Sequence, residues 1–232
     1  MKDRPPVQAS LGPPAAPPRA PNRLLLVRHG PTRWNEEGRY QGASDPELSD
    51  TGRRKARLLK RALETDPSLG HRGPTWCSDL RRAVATARIL FPGEPVAFDP
   101  RLRELSFGAF EGRTHQENLA RSPEAYGRWL EDPAAHPPPG GEDLAAFRRR
   151  VSHWLAEAAA TAPAGALVRA VTHGGVVRMA AAILQGSSFG DALHPEGPVA
   201  PPQPGEGILL DAGRATPVRP HHPSSTGAKD AP

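Results

Sequence analysis

One cysteine, few aromatic side chains and no long apolar run restrict what this chain of 232 residues is able to be. Cys77 stands alone, so an intrachain disulfide framework is excluded, and the composition agrees with a reducing compartment. No segment approaches the roughly 18 consecutive apolar residues of a membrane-spanning helix. The N-terminus, MKDRPPVQAS, lacks the apolar centre of a secretory signal. These absences predict a cytoplasmic protein without a membrane partner. With 37% hydrophobic and 5% aromatic residues, there is core material for one ordinary domain, or at most two small ones.

Proline and positive charge are what the chain has in excess. Of its 29 prolines, seven fall in residues 1–21, four in 133–139, five in 195–204 and four in 217–232. Most therefore punctuate tails and loops. The net charge is +5 and the isoelectric point about 10.0, values that on their own suggest a polyanion partner. Their location argues otherwise: residues 1–22 and 212–232 carry +2 each, which leaves +1 for residues 23–211. No nucleic-acid partner is expected.

Residues 1–22 hold almost no large apolar side chain, so burial cannot offset the entropy of ordering them, and they read as a disordered leader. The polar segment 212–232 reads as a disordered tail. Between them, residues 23–211 alternate strand and helix patterns. LLLV at 24–27 is a short apolar run broken by Gly and Pro, as in a buried parallel strand. A polar loop follows, then a helix capped by Ser49 or Asp50 with Ala56, Leu59 and Leu63 on one face. The Arg53–Arg61 run reads as its wet face. PTWCS at 74–78 is a second strand, Asp79–Leu90 a helix, VAF at 96–98 a third strand, and 114–131 one or two short helices. Leu144, Phe147, Val151, Trp154, Leu155 and Ala158 recur at helical spacing. ALVRAV at 166–171 is another buried strand, VVRMAAAIL an apolar helix, and GILLD at 207–211 a last, edge strand. This alternation predicts an α/β layer fold with a mainly parallel sheet, in which ligands bind beyond the carboxyl ends of the strands. Arg28-His29, Ser78 with its following arginines, and Thr172-His173-Gly174 all fall at such ends.

An Arg-His-Gly tripeptide alone is weak, but its surroundings are specific. Residues 24–52 read LLLVRHGPTRWNEEGRYQGASDPELSDTG. Three further motifs follow in order: Ser78-Asp79-Leu80-Arg81-Arg82-Ala83 with Thr86-Ala87, Arg103-Glu104-Leu105 with Phe107-Gly108 and Glu111-Gly112, and Thr172-His173-Gly174-Gly175. Over residues 23–185 the set closely resembles the histidine phosphatase superfamily, in its phosphoglycerate-mutase-like branch. The run PPGGEDLAAFRRRV resembles the Pro-Gly-Gly-Glu-Ser/Asp-Leu pattern of its small phosphatases, including the bacterial α-ribazole phosphatase type.

That resemblance implies a three-layer α/β/α sandwich with a mainly parallel central sheet, phosphoglycerate mutase-like. It implies His29 as the nucleophile that becomes a phosphohistidine, Arg28, Arg82 and His173 as the groups that hold the phosphoryl, and Glu104 as proton donor. Thr32 and Asn35 match positions that contribute phosphate contacts in relatives. The Gly174 N–H, opening the apolar helix, is a candidate helix-end anion contact. Elementary chemistry asks for the same parts: an in-line nucleophile, positive charge around the equatorial oxygens, and a proton for the leaving alkoxide. Arginine suits the middle task because its planar fork pairs with phosphate oxygens and stays charged. The same arginines should depress the pKa of His29, and a bound phosphate dianion should favour the charged form of His173.

Other residues read as structural. The family spacing selects Arg82, leaving Arg81 as a solvated neighbour; Glu111 reads as structural, Trp34 as packing or binding, and Cys77 as inert. Pro31 stands where many relatives have Glu or Gln. His71, His115, His136, His153 and His194 show no metal-ligand spacing, so no metal site and no cofactor are expected. No phosphate-binding glycine loop of the Walker type is present. The segment Thr114–Gly141 is short and has only the separated Arg121 and Arg128, whereas phosphoglycerate mutases carry a longer insert with paired arginines. The expected activity is therefore metal-independent hydrolysis of a small phosphate monoester. The alternatives are a cofactor-dependent phosphoglycerate mutase and, from another class, an inactive protein that binds a phosphate ligand. A small-molecule partner follows, in a monomer or homodimer.

Overall fold

The computed structural model describes residues 21–69, 72–187, 202–211 and 214–220; the expected leader, apart from residues 21 and 22, lies outside them. In chain order the elements are β1 (Arg23–Arg28), α1 (Arg33–Glu36), α2 (Asp50–Thr65), β2 (Arg72–Cys77), α3 (Arg81–Leu90), β3 (Ala97–Phe98), α4 (His115–Arg121), α5 (Pro123–Glu131), α6 (Leu144–Thr161), β4 (Leu167–Thr172), α7 (Gly174–Gln185), β5 (Gly207–Asp211) and β6 (Arg214–Val218). The strands form one sheet in the order β3-β2-β4-β1-β5-β6.

Strand alternation divides the core in two. From β1, Leu24 and Leu26 join Val168, Ala170, Ile208 and Leu210 beneath Phe147, Val151 and Trp154 of α6 and Val176, Val177 and Met179 of α7. Leu25 and Val27 point the other way, to Leu59 and Leu63 of α2 and Ala83 and Ala87 of α3. Helices thus cover both faces, the three-layer α/β/α sandwich expected. β1, β4, β2 and β3 are parallel. The continuation through β5 and β6 is antiparallel, so the sheet is mixed.

Two elements differ from the sequence reading. The polar loop after β1 contains α1, a single turn held by a capping box in which Thr32 and Asn35 satisfy each other's backbone N–H groups. At the other end, residues 214–218, polar enough in sequence to suggest a disordered tail, form β6, paired with β5 through Gly207↔Val218 to Asp211↔Arg214. GILLD is therefore not the edge. Only Ala212 and Gly213 separate the two strands in sequence, a hairpin spacing. Pro217 is tolerated because an edge strand has one unpaired side. Val218 reaches the core from that edge. Among the described residues no helix is long and apolar enough to cross a membrane.

Candidate active site

Register brings three motifs together. Arg28 pairs with Thr172 across β1 and β4, and Cys77 with Val171 across β2 and β4. The next residues, His29, His173 and Ser78, therefore emerge side by side at the carboxyl edge. The backbone N–H of His29 donates to Thr172 O and that of Ser78 to Val171 O, each at 2.9 Å. β4 lies between β1 and β2 although it follows both in sequence, so this edge is a topological switch point.

His29 is 2% exposed and His173 fully buried, with ring centroids 5.0 Å apart. The Nδ1 of His29 lies 2.7 Å from Gly30 O. A carbonyl only accepts, so Nδ1 carries the proton and Nε2 the lone pair. Burial first, then the charges of Arg82 and Arg28, hold the His29 pKa well below its ordinary value. The sequence reading anticipated the arginines; the larger effect, burial, needed the fold. His173 is depressed by burial and by Arg82, His29 and Arg28. Its Nε2 is bonded at 2.8 Å to the Ser78 hydroxyl.

Arg82 is fully buried in the first turn of α3. Its guanidinium donates to Ser44 O at 2.7 Å and Gly42 O at 2.9 Å. Arg81, by contrast, has a side chain 71% exposed beside Asp45 and Glu47. Arg28 donates to Pro202 O at 3.1 Å and passes over Gly174, where a Cβ would lie 3.2 Å from the guanidinium carbon. Burial lowers the pKa of both arginines, and the nearby charge of Glu104 opposes that shift. Glu104 accepts one N–H on each oxygen, from Leu105 and from Gly175, both at 3.0 Å. At this helix end the Gly175 N–H is thus engaged by Glu104, beside the Gly174 N–H singled out as an anion contact.

Thr32 and Asn35 have local work. The Thr32 hydroxyl is buried, 2.8 Å from Gln41 Oε1 and 3.2 Å from Asn35 Oδ1, while Asn35 Oδ1 receives the Thr32 N–H. They shape the loop after His29. Several supporting residues carried no functional reading. Thr86 accepts the Gly30 N–H at 3.0 Å. Glu111 accepts from the N–H groups of Ala43, Ser44 and Phe107, tying the loop that Arg82 grips to the loop that follows Glu104. Burial pushes the Glu111 carboxyl up, but these bonds, with Ser44 foremost, outweigh it and leave the pKa below its usual value. The Gly42 backbone fits there because a Cβ would lie 2.2 Å from Leu105 O. Such partnerships link residues distant in sequence, so spacing could not have shown them. Among the described residues no group of three or more His, Cys, Asp or Glu side chains is arranged to hold a metal ion.

A buried imidazole beside a buried Arg82 and a partly buried Arg28, at the switch point of a three-layer sandwich, is the arrangement expected of the phosphoglycerate mutase-like class. Residues 24–199 match the family model of the histidine phosphatase superfamily, branch 1; the chain belongs to that family and is an enzyme of it. Phosphoserine phosphatase 1 of Hydrogenobacter thermophilus is 35% identical over 137 residues, which cover 58% of this chain and 63% of the relative. The adenosylcobalamin/alpha-ribazole phosphatase of Salmonella typhimurium is 34% identical over 159 residues, or 68% of this chain and 76% of the relative. Among solved structures, the alpha-ribazole phosphatase from Shigella flexneri superimposes with a TM-score of 0.72 at 28% identity, covering 86% of this chain and 96% of the other.

Proposed function

We propose that the protein hydrolyses a small phosphate monoester through a phosphohistidine on His29, without a metal or other cofactor. One observation carries this reading: Nε of Arg28, Nε of Arg82 and Nδ1 of His173 are all buried without a hydrogen-bond partner among the described residues, and all three residues act electrostatically on His29 or share its site. Leaving a buried polar group unmatched costs about 1–3 kcal/mol. A site that holds three of them is preorganised for a ligand with several acceptors and negative charge, as a phosphoryl group is. Relatives named as phosphoserine and alpha-ribazole phosphatases support hydrolysis.

The steps follow from the geometry. Nε2 of His29 attacks phosphorus, the P–O bond to the alcohol breaks, and the departing oxygen takes the proton of a protonated Glu104. The dianion favours a proton on His173, which then donates from Nδ1 to phosphate and from Nε2 to Ser78. Water next attacks the P–N bond, Glu104 takes its proton, and phosphate leaves with His29 neutral again. On this reading the chain works in the cytoplasm on a small-molecule ester, as a monomer or homodimer, with neither nucleic acid nor membrane as partner.

The test compares wild type with His29→Ala on an aryl phosphate in the presence of a chelator. Wild type is expected to release phosphate and the variant to lose about a thousandfold or more. Equal rates, or a wild type that is inactive in chelator, would defeat the proposal. Phosphoglycerate supplied with and without its bisphosphate separates phosphatase from mutase: isomerisation that depends on the bisphosphate and exceeds phosphate release favours the mutase.

A further inference from the structure

Arg150 lies on α6, at the end of a triple-arginine run. It follows Phe147 by three residues and precedes Trp154 by four, at the border of the buried stripe. The side chain is 18% exposed. Every N–H of its guanidinium has an acceptor. Nη1 donates to Arg101 O at 2.7 Å and Arg103 O at 2.6 Å. Nη2 donates to Glu104 O at 3.0 Å and Glu142 Oε2 at 2.8 Å, and Nε to Glu142 Oε1 at 2.7 Å. The guanidinium carbon also stacks 4.5 Å from the Phe147 ring centroid. Five donors in one rigid plane meet five acceptors, and three of these are carbonyls of the short stretch that delivers Glu104.

We infer that Arg150, clamped by Glu142, is the positioning residue for the proton donor Glu104. This rests on the role given to Glu104 under the proposed function. The carboxylate end is held by the Gly175 N–H; Arg150 holds the other end by fixing the backbone at residue 104. Phe147 unites the two restraints, because its ring tip would lie 3.5 Å from a Cβ placed on Gly175. The Glu142 N–H donates to Ser106 O at 3.0 Å, so the carboxylate that clamps Arg150 is itself anchored to the same loop. Such a site tolerates no simple charge replacement: lysine has three donors about a point and cannot span three carbonyls and a carboxylate.

A misplaced proton donor leaves a distinct kinetic signature. It slows the expulsion of poor leaving groups, which need the proton, and spares good ones, which do not. The measurement is kcat/KM, which reports the step that forms the phosphoenzyme, across aryl phosphates from phenyl to 2,4-dinitrophenyl. Arg150→Lys is expected to lose about a hundredfold on phenyl phosphate and less than about fivefold on the dinitrophenyl ester, within the range general-acid catalysis supplies. Glu104→Gln should show the same slope, and the double variant should be no worse than Glu104→Gln alone. Glu142→Gln, which keeps the shape and weakens the clamp, should tilt the series in the same direction and serves if Arg150→Lys fails to fold. A uniform loss across the series, or losses that multiply in the double variant, would overturn the inference. If Glu104→Gln tilts the series and neither Arg150→Lys nor Glu142→Gln does, Arg150 has no positioning role while the proposed mechanism stands. If His29→Ala retains full activity, the mechanism itself fails.

Discussion

At His29 and His173, burial and neighbouring positive charge act in the same direction, each disfavouring a proton on the imidazole. In the unfolded chain both rings titrate near the ordinary value of about 6.5. Below that pH the unfolded state binds protons that the folded state does not, so the stability these two groups confer is complete above about pH 6.5 and falls as the pH decreases. The slope is at most about 1.4 kcal/mol per pH unit for each histidine. Urea unfolding of wild type and His173→Asn between pH 7.5 and 5.5 checks this: the variant is expected to show a slope shallower by up to that amount. Identical slopes would show that His173 is not held neutral. The candidate residues of the site were legible in the sequence because residue type carries their chemistry: imidazoles, cationic forks and a carboxyl group. The bonds of Ser78, Glu111, Glu142 and Arg150 were not, because each is set by a partner that folding supplies.

At the scale of elements, the N-termini of two helices abut the candidate site and do so through glycine. A Cβ on Gly52, in the first turn of α2, would lie 2.1 Å from the Pro31 carbonyl oxygen, and one on Gly175, in the first turn of α7, 2.2 Å from Glu104 Oε1. The obstacles differ in kind. Backbone at Pro31 cannot yield without moving α2 off the loop that carries His29, so Gly52→Ala is expected to cost about 1–3 kcal/mol of stability. A carboxylate swings aside, so Gly175→Ala should remain within about 1 kcal/mol of wild type yet show the tilted leaving-group series of Glu104→Gln. Denaturant midpoints read the first effect and kinetics the second; the reverse pattern would contradict the packing. Most elements were foreseen because their apolar periods of two and 3.6 survive in the sequence. α1 was not, being one turn without a buried residue, and β6 was not, because Arg214 and Pro217 mask a short strand whose main link is backbone pairing to β5.

For the whole molecule, β6 moves the folded boundary from 211 to at least 218. Ending the chain at Asp211 would strip the hydrogen bonds from one side of β5 and remove Val218 from the core half beneath α2 and α3 that also holds Leu209. The expected loss is about 2 kcal/mol, or roughly 4–8 °C in melting temperature for a domain of this size; a truncated chain that melts with wild type would show β6 to be dispensable. Proline and charge, the two excesses of the composition, also resolve at this scale. Most of the surplus charge lies in the tails, while Arg28 and Arg82 are placed beside one imidazole pair. The amino-acid sequence by itself determined the layered α/β architecture and the family motifs, because periodicity and side-chain chemistry are local properties. Only the tertiary structure decided which nitrogen of His29 is free, that burial depresses both histidines, where the sheet ends, and that one arginine of three bonds the loop of Glu104, because each of these depends on atoms brought together from distant parts of the chain.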